Sequence, residues 1–259
     1  LLATAEQALD LALVDSATIA LDALHRSDLE GADRARLRLA HSRLSLLGGD
    51  STSATNALKE AIELTAGLDT PVAVRTSTQA RLLLVEVYLR GGRVHLASAA
   101  ANELVTIGGP GAELVVAATQ GALGDRSTVA ALPELADRVL REGGVEAIGF
   151  IADTAGLALI WSEQYEEADR LLTRLARDAR IAAALGPLPR VLAVQAMSDL
   201  RQSRYLSASI RADEAVRLAD ATARPGLAAF PASILAVAEA VRGDEHGCRL
   251  AASRLVEDA

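Results

Sequence analysis

The sequence predicts an all-α chain built as a helical-repeat solenoid, and three observations carry that prediction. Apolar residues recur at helical spacing, a turn-then-small-residue signal returns every 32 to 43 residues, and aromatics are only 2% of a chain rich in Ala and Leu. Close-packed helices suit that composition, whereas a sheet would call for β-branched and aromatic side chains.

The repeat is clearest across residues 157–208. After Tyr165, Glu166, Glu167 and Ala168, the apolar positions Leu171, Leu172, Leu175, Ala176 and Ala179 fall three and four apart, on one helical stripe. Gly186 and Pro187 stop that helix, since Gly tolerates a left-handed cap and Pro cannot continue the backbone ladder. A new helix runs to Arg201, and the pattern of Tyr165 and Ala168 returns at Tyr205 and Ala208, 40 residues on.

Extending that signal in both directions gives Ile19, Ala54, Ala97, Val129, Ala168, Ala208 and Cys248, at intervals of 35, 43, 32, 39, 40 and 40. Seven helix pairs are therefore expected. The turns before them read Val14 and Asp15, then Gly48 to Asp50, Gly91 to Arg93, Gly124 with Asp125, Glu163 with Gln164, Ser203 with Arg204, and Gly243 with Asp244. Most carry the Gly or Asp of tight connections, but those at Glu163 and Ser203 lack Gly, so they must avoid positive φ or bear its strain. Twelve residues before the small position lies its partner on the first helix: Ser42, Val85, Ala117, Gly156, Ala196 and Ala236. Two helices meeting through small residues define a tetratricopeptide-like repeat.

Between pairs the stops are Thr70 with Pro71, the run from Gly108 to Gly111, Gly143 with Gly144, Gly186 with Pro187, and Pro225 with Gly226. Thr70 and Pro71 read as an N-cap followed by Pro at the first helical position. No loop is long enough to separate domains, so residues 1–259 read as a single superhelix. The 32-residue interval predicts abbreviated helices between Leu114 and Leu140. The chain opens and closes within helix-forming sequence and reads as a piece of a longer, multidomain protein.

The net charge of −8 argues against a nucleic-acid surface. Cys248 is the only cysteine, so no intrachain disulfide forms, and the thiol in the small column reads as buried and structural. The longest apolar run, residues 148–161, is short for a membrane span and is interrupted by Asp153. With no signal peptide either, a cytoplasmic location and no membrane partner are expected. His25, His41, His95 and His246 lie far apart and suggest surface positions rather than a metal site. The segment ending at Glu86 looks like a Walker B strand, but no phosphate loop accompanies it. Gly108 to Gly111 reads as an interhelix loop. With no nucleophile, acid/base couple or metal cluster, no enzyme is expected.

Residues 157–255 resemble the helical-repeat region of the large ATP-binding LuxR-type transcriptional regulators, relatives of the maltose-operon activator. The similar segments are ADRLL from Ala168, AALGPLP from Ala183, DLR from Asp199, DEAVRLA from Asp213, RGDE from Arg242, and Cys248 with Arg249. The resemblance implies a right-handed superhelix acting as the sensor or interaction domain of a transcriptional regulator. It would bind a small-molecule inducer or a protein partner, with possible self-association. No cofactor is expected here; ATP belongs to an upstream nucleotidase and DNA to a downstream helix-turn-helix. The alternative is a peptide-binding tetratricopeptide adaptor unrelated to transcription.

A candidate ligand groove follows from the periodicity. With Ala196 facing its partner helix, the opposite face carries Arg190, Val191, Val194, Ser198 and Arg201, bordered by Gln195 and Gln202. The 40-residue repeat stacks Phe150, Arg190 and Phe230 in one column and Trp161, Arg201 and Val241 in another. Arg190 and Arg201, about 16 Å apart along a helix, would address two ends of a ligand. The competing reading is that these aromatics pack one first helix against the next.

Overall fold

A computed structural model describes residues 1–10, 13–25, 29–222 and 224–257. They form an all-α helical-repeat solenoid, with no strand among the described residues. The pairs are α1 (Leu2–Asp10) with α2 (Val14–His25), α3 (Gly31–Gly48) with α4 (Ser51–Leu64), and α5 (Pro71–Arg90) with α6 (Val94–Asn102). In the fourth, α7 (Pro110–Ala122) faces a divided partner, α8 (Arg126–Val129) and α9 (Leu132–Gly143). The fifth joins α10 (Ala147–Ile151), a π-helical segment (Ala152–Gly156) and α11 (Leu157–Trp161) into one first helix against α12 (Tyr165–Ile181). The last two are α13 (Leu188–Arg201) with α14 (Tyr205–Ala221), and α15 (Ala229–Arg242) with α16 (Glu245–Glu257).

One turn chemistry makes these pairs. In six of them the backbone N–H just after the turn donates to the carbonyl five residues earlier: Asp50 to Ser45, Arg93 to Tyr88, Asp125 to Gln120, Gln164 to Leu159, Arg204 to Asp199 and Asp244 to Glu239, all within 2.8–3.0 Å. That is the wide bond of a Schellman cap, which requires a left-handed residue just before the donor. Gly49, Gly92, Gly124 and Gly243 supply it at φ 90°, 67°, 103° and 81°. Glu163 and Ser203 fill the same position at φ 59° and 60°, so the two glycine-free turns adopt the strained conformation rather than avoid it.

The same bond corrects the first repeat. Leu13 N–H donates to Ala8 O at 2.8 Å, and the small position four residues beyond the donor is Ala17, fully buried, with Ala5 twelve residues before it also fully buried. Ile19, the position expected from sequence, is 71% exposed. The expected turn at Val14 and Asp15 is instead helical. In the second, third, fifth and sixth pairs the columns hold: Ala54, Ala97, Ala168 and Ala208 are fully buried opposite Ser42, Val85, Gly156 and Ala196, whereas Ala236 and Cys248 of the last pair are half-buried. At Gly156 a methyl group would sit 2.9 Å from a Leu172 methyl, so the helices meet there only because the side chain is absent.

Shortening falls elsewhere than expected. The 32-residue interval spans the end of one pair and the first helix of the next, and the nine-residue α6 accounts for much of it. The following second helix is broken rather than short, because Pro133 early in α9 has no N–H to continue from α8. Cys248 is half-buried and reduced rather than fully enclosed. Of the expected surface histidines, His95 and His246 are exposed and His41 is half-buried; the His25 side chain lies outside the described set.

The helical stretch 132–161 contains an 18-residue window apolar enough to cross a membrane, yet 67% of that window is buried inside the protein. The run supplies core: Ile148, Ile151, Leu157, Leu159 and Ile160 sit in the largest apolar cluster, which extends from α7 to α14. Consecutive second helices are tied by ion pairs, Arg180 to Glu214 and Arg254 to Asp220, at 2.8 and 2.7 Å.

The coil also meets itself. The 3-10 turn Pro225–Leu227 before α15 packs on the C-terminal end of α3, five pairs earlier, and a Cβ on Gly226 would lie 2.1 Å from Leu46 O. Backbone touches backbone, and the coil closes around an interior space.

Candidate ligand-binding cavity

There a half-open cavity of about 760 Å³ is found, within the range of small-ligand sites. Its walls come from α1, α3, α5, the 3-10 turn Gly144–Glu146, the loop before α13, α13 itself and the turn before α15. Residues from pairs far apart in sequence reach one space because the coil turns back on itself. Leu9, Leu46, Leu47, Leu83 and Leu227 give it an apolar surface. A neighbouring chamber of about 410 Å³, between α1, α3 and α5, shares Arg43 with it.

A buried charge network forms one wall. Arg190 of α13 places Nε 2.7 Å and Nη2 2.6 Å from Asp153 Oδ2, and Nη2 also lies 2.6 Å from Glu86 Oε1. The Nε contact is a hydrogen bond; the Nη2 contacts are ion pairs without hydrogen-bond alignment. Arg90 approaches Asp153 at 3.6 Å and Glu86 at 3.8 Å. Asp153 is 1% exposed and Glu86 5%. Gly149 makes the slot, since a Cβ there would lie 2.8 Å from Arg190 Nη1.

Burial pushes the Asp153 carboxyl above the usual carboxylate range, with Arg190 and Arg90 pulling against it. Burial likewise works against Arg190, but Asp153 and Glu86 outweigh it and hold the guanidinium above its ordinary value. Asp153 stands in the π-helical segment, whose wider turn is frequently found at functional positions.

Arg224 differs from Arg190. Its side chain makes no ion pair or hydrogen bond among the described residues, its Nε is buried without a partner, and its guanidinium lies over Gly186, whose Cβ would meet Nη1 at 2.6 Å. Burial lowers its pKa, Glu146 pulls it back and the charge of Arg190 lowers it further. A guanidinium stays protonated at neutral pH regardless, so the cavity contains a cation with no direct ion-pair partner among the described residues.

The groove expected from sequence divides on these coordinates. Val194 and Ser198 are fully buried and Gln195 is 6% exposed, so they cannot line an open groove. Ser198 donates to Asp169 at 2.8 Å and Gln195 to Thr173 at 3.5 Å, which places that face of α13 against α12. An interior first helix is covered by its own partner and by both neighbouring pairs, which leaves a narrow stripe rather than a whole opposite face. Phe150, Trp161 and Phe230 are half-buried and pack on the core clusters, Phe150 and Trp161 bridging two of them. Arg201 is exposed, makes no ion pair among the described residues and does not line the cavity. Arg190 alone of the eight lines it, with its charge already matched.

Sequence reasoning missed Arg43, Leu46, Leu83, Arg224 and Leu227, which meet only through closure of the coil. A signal was present for the network: Glu86 and Asp153 each interrupt a strongly apolar helical run, and a carboxylate buried in such a run requires a cationic partner.

No family model matches the chain, and no curated protein matches it either. Among solved structures, the chain is similar to a Rap protein complexed with competence and sporulation factor, at a TM-score of 0.62 and 12% identity, covering 100% of this chain and 75% of that one. At that identity the likeness is one of fold.

Proposed function

We propose that this chain is an interaction domain that receives a short peptide or an extended segment of a protein partner in its interior cavity. The closed coil carries the proposal: five leucines and several arginines from distant repeats converge on one space of about 760 Å³. Apolar walls with a few fixed polar groups suit side-chain anchoring plus orientation. The similar solved structure, itself described as a complex, supports an interaction role. Panning a random heptapeptide display library against the intact protein tests this. Enriched peptides are expected to bind the wild type and to lose binding in Leu83→Trp, which fills the cavity, at an unchanged melting temperature. No enrichment, or binding indifferent to the filled cavity, overturns the proposal.

Within that reading, the resemblance of residues 157–255 to the LuxR-type regulators favours a sensor that passes occupancy to nucleotidase and DNA-binding domains. A free-standing adaptor would use the same cavity. A coding sequence with a phosphate loop upstream of residue 1 and a helix-turn-helix downstream of residue 259 would favour the sensor; flanks lacking both would favour the adaptor.

A further inference from the structure

From the charges that face the two chambers, we infer that the peptide they receive is acidic. This rests on the interaction reading above and adds its chemical class. The chain as a whole carries −8, yet the charged residues lining the two chambers are Arg36, Arg43, Arg75, Arg90, Arg190 and Arg224 against Glu6, Glu86 and Glu146, a local balance of +3, or +2 once Asp153, paired with Arg190, is counted. The interior is positive inside a negative protein.

Most of that charge is already matched. Arg190 and Arg90 face Glu86 and Asp153, and Arg36 lies 2.6 Å from Glu6. The exposed Arg75 side chain of the smaller chamber and the half-buried Arg224 side chain of the larger have no hydrogen bond or ion pair among the described residues. Glu146 acts on Arg224 through space without forming an ion pair. A half-buried guanidinium with an orphaned Nε loses hydration and gains no partner, a cost that a ligand carboxylate would reverse. Arg forks prefer planar, two-oxygen acceptors, which Asp, Glu and a C-terminal carboxylate all present.

The leucines set the rest of the pattern. Leu46, Leu47, Leu83 and Leu227 share the larger chamber with Arg224, so an apolar side chain would sit beside the acidic group. Arg43, common to both chambers, places the second basic chamber next to the first. The ligand is thus a short linear peptide with at least two carboxylates and an intervening apolar residue.

Three pools of fluorescein-labelled pentapeptides test this, each built on Leu, Ala and Gly with two positions fixed as Glu, Gln or Lys. Anisotropy with the intact protein should show the Glu pool binding at least about tenfold tighter than the Gln pool and the Lys pool weakest. Arg224→Gln and Arg75→Gln should each weaken the Glu pool several-fold while leaving the Gln pool unchanged, with Arg224→Lys recovering part of the loss. Equal or stronger binding of the Lys pool, or a Glu pool indifferent to both variants, would overturn the acidic preference and leave the interaction reading intact. If no pool binds at about 1 mM, both fall.

Discussion

Arg190 and Asp153, 37 positions apart and on the first helices of successive pairs, form a hydrogen-bonded ion pair at 2.7 Å with the carboxylate 1% exposed. Glu86 on a third first helix joins them, so one network ties three repeats along the inner wall. Charges removed from water are held by the few partners the network supplies, and losing Asp153 leaves Arg190 with Glu86 alone.

Asp153→Ala should therefore cost about 3–5 kcal/mol, because it leaves Arg190 buried with only Glu86. Adding Arg190→Met should return more than half of that loss, since a chain of similar volume needs no counter-charge. Urea titrations of both variants check this. A double variant no more stable than Asp153→Ala would mean that the ion pair is not the source of the cost.

The strained turns give a prediction of opposite sign. Glu163 and Ser203 hold the left-handed position that Gly fills in the turns of four other pairs. Replacing either by Gly should stabilise by about 0.5–1 kcal/mol, the relief of strain exceeding the added flexibility of the unfolded chain. The sites lie in separate pairs, so the gains should add. Gly243→Ala, at φ 81° in open space, should destabilise for purely conformational reasons. If Glu163→Gly melts below the wild type, this account of the turns fails.

These turns also show what sequence could reveal. The cap that makes each pair is local, so Gly49, Gly92, Gly124 and Gly243 announced it, and the 40-residue register carried it to Glu163 and Ser203. Where the local signal was degenerate, as between Ala17 and Ile19, only the hydrogen-bond ladder distinguished the buried position. The expected groove failed for a different reason: helical periodicity says which residues share a face, not what covers it. Val194 and Ser198 share a stripe, but the preceding pair covers it, Gly156 beside Val194 and Asp169 of α12 at Ser198. The cavity was invisible because its walls depend on how tightly the coil winds, a property summed over many small crossing angles.

Asp169 links two pairs through Ser198 and Arg204, both at 2.8 Å. Burial raises its pKa, but the hydrogen bonds from Arg204 and Ser198 outweigh burial and hold it below the usual carboxylate range. A depressed folded pKa contributes stability that is fully present above the ordinary carboxylate value and is lost as pH falls through the folded one. Stability should thus decline below about pH 4, and Asp169→Asn should show a shallower decline between pH 5 and 3. Urea midpoints measured across that range decide it; parallel slopes would remove Asp169 from the acid response.

Gly226 tests whether the coil needs its closure. A methyl group there would meet Leu46 O at 2.1 Å, Gly49 N at 2.6 Å and Gly49 Cα at 2.9 Å, all backbone atoms that cannot rotate away. Gly226→Ala should force the turn before α15 off α3, costing about 1–3 kcal/mol as overpacking does. Gly48→Ala, at the end of α3 beside Gly49, is the control, with nothing within 4 Å of its Cβ, and should leave stability unchanged or raise it. Because the cavity is bounded by Leu46 and Leu47 on one side and Arg224 and Leu227 on the other, the same variant should widen the coil. Small-angle scattering should report a larger radius of gyration for Gly226→Ala than for Gly48→Ala. Peptides selected on the wild type should bind Gly226→Ala more weakly at temperatures where both proteins are folded. A compact Gly226→Ala with full peptide affinity would show that the contact between α3 and the 3-10 turn is incidental to the cavity.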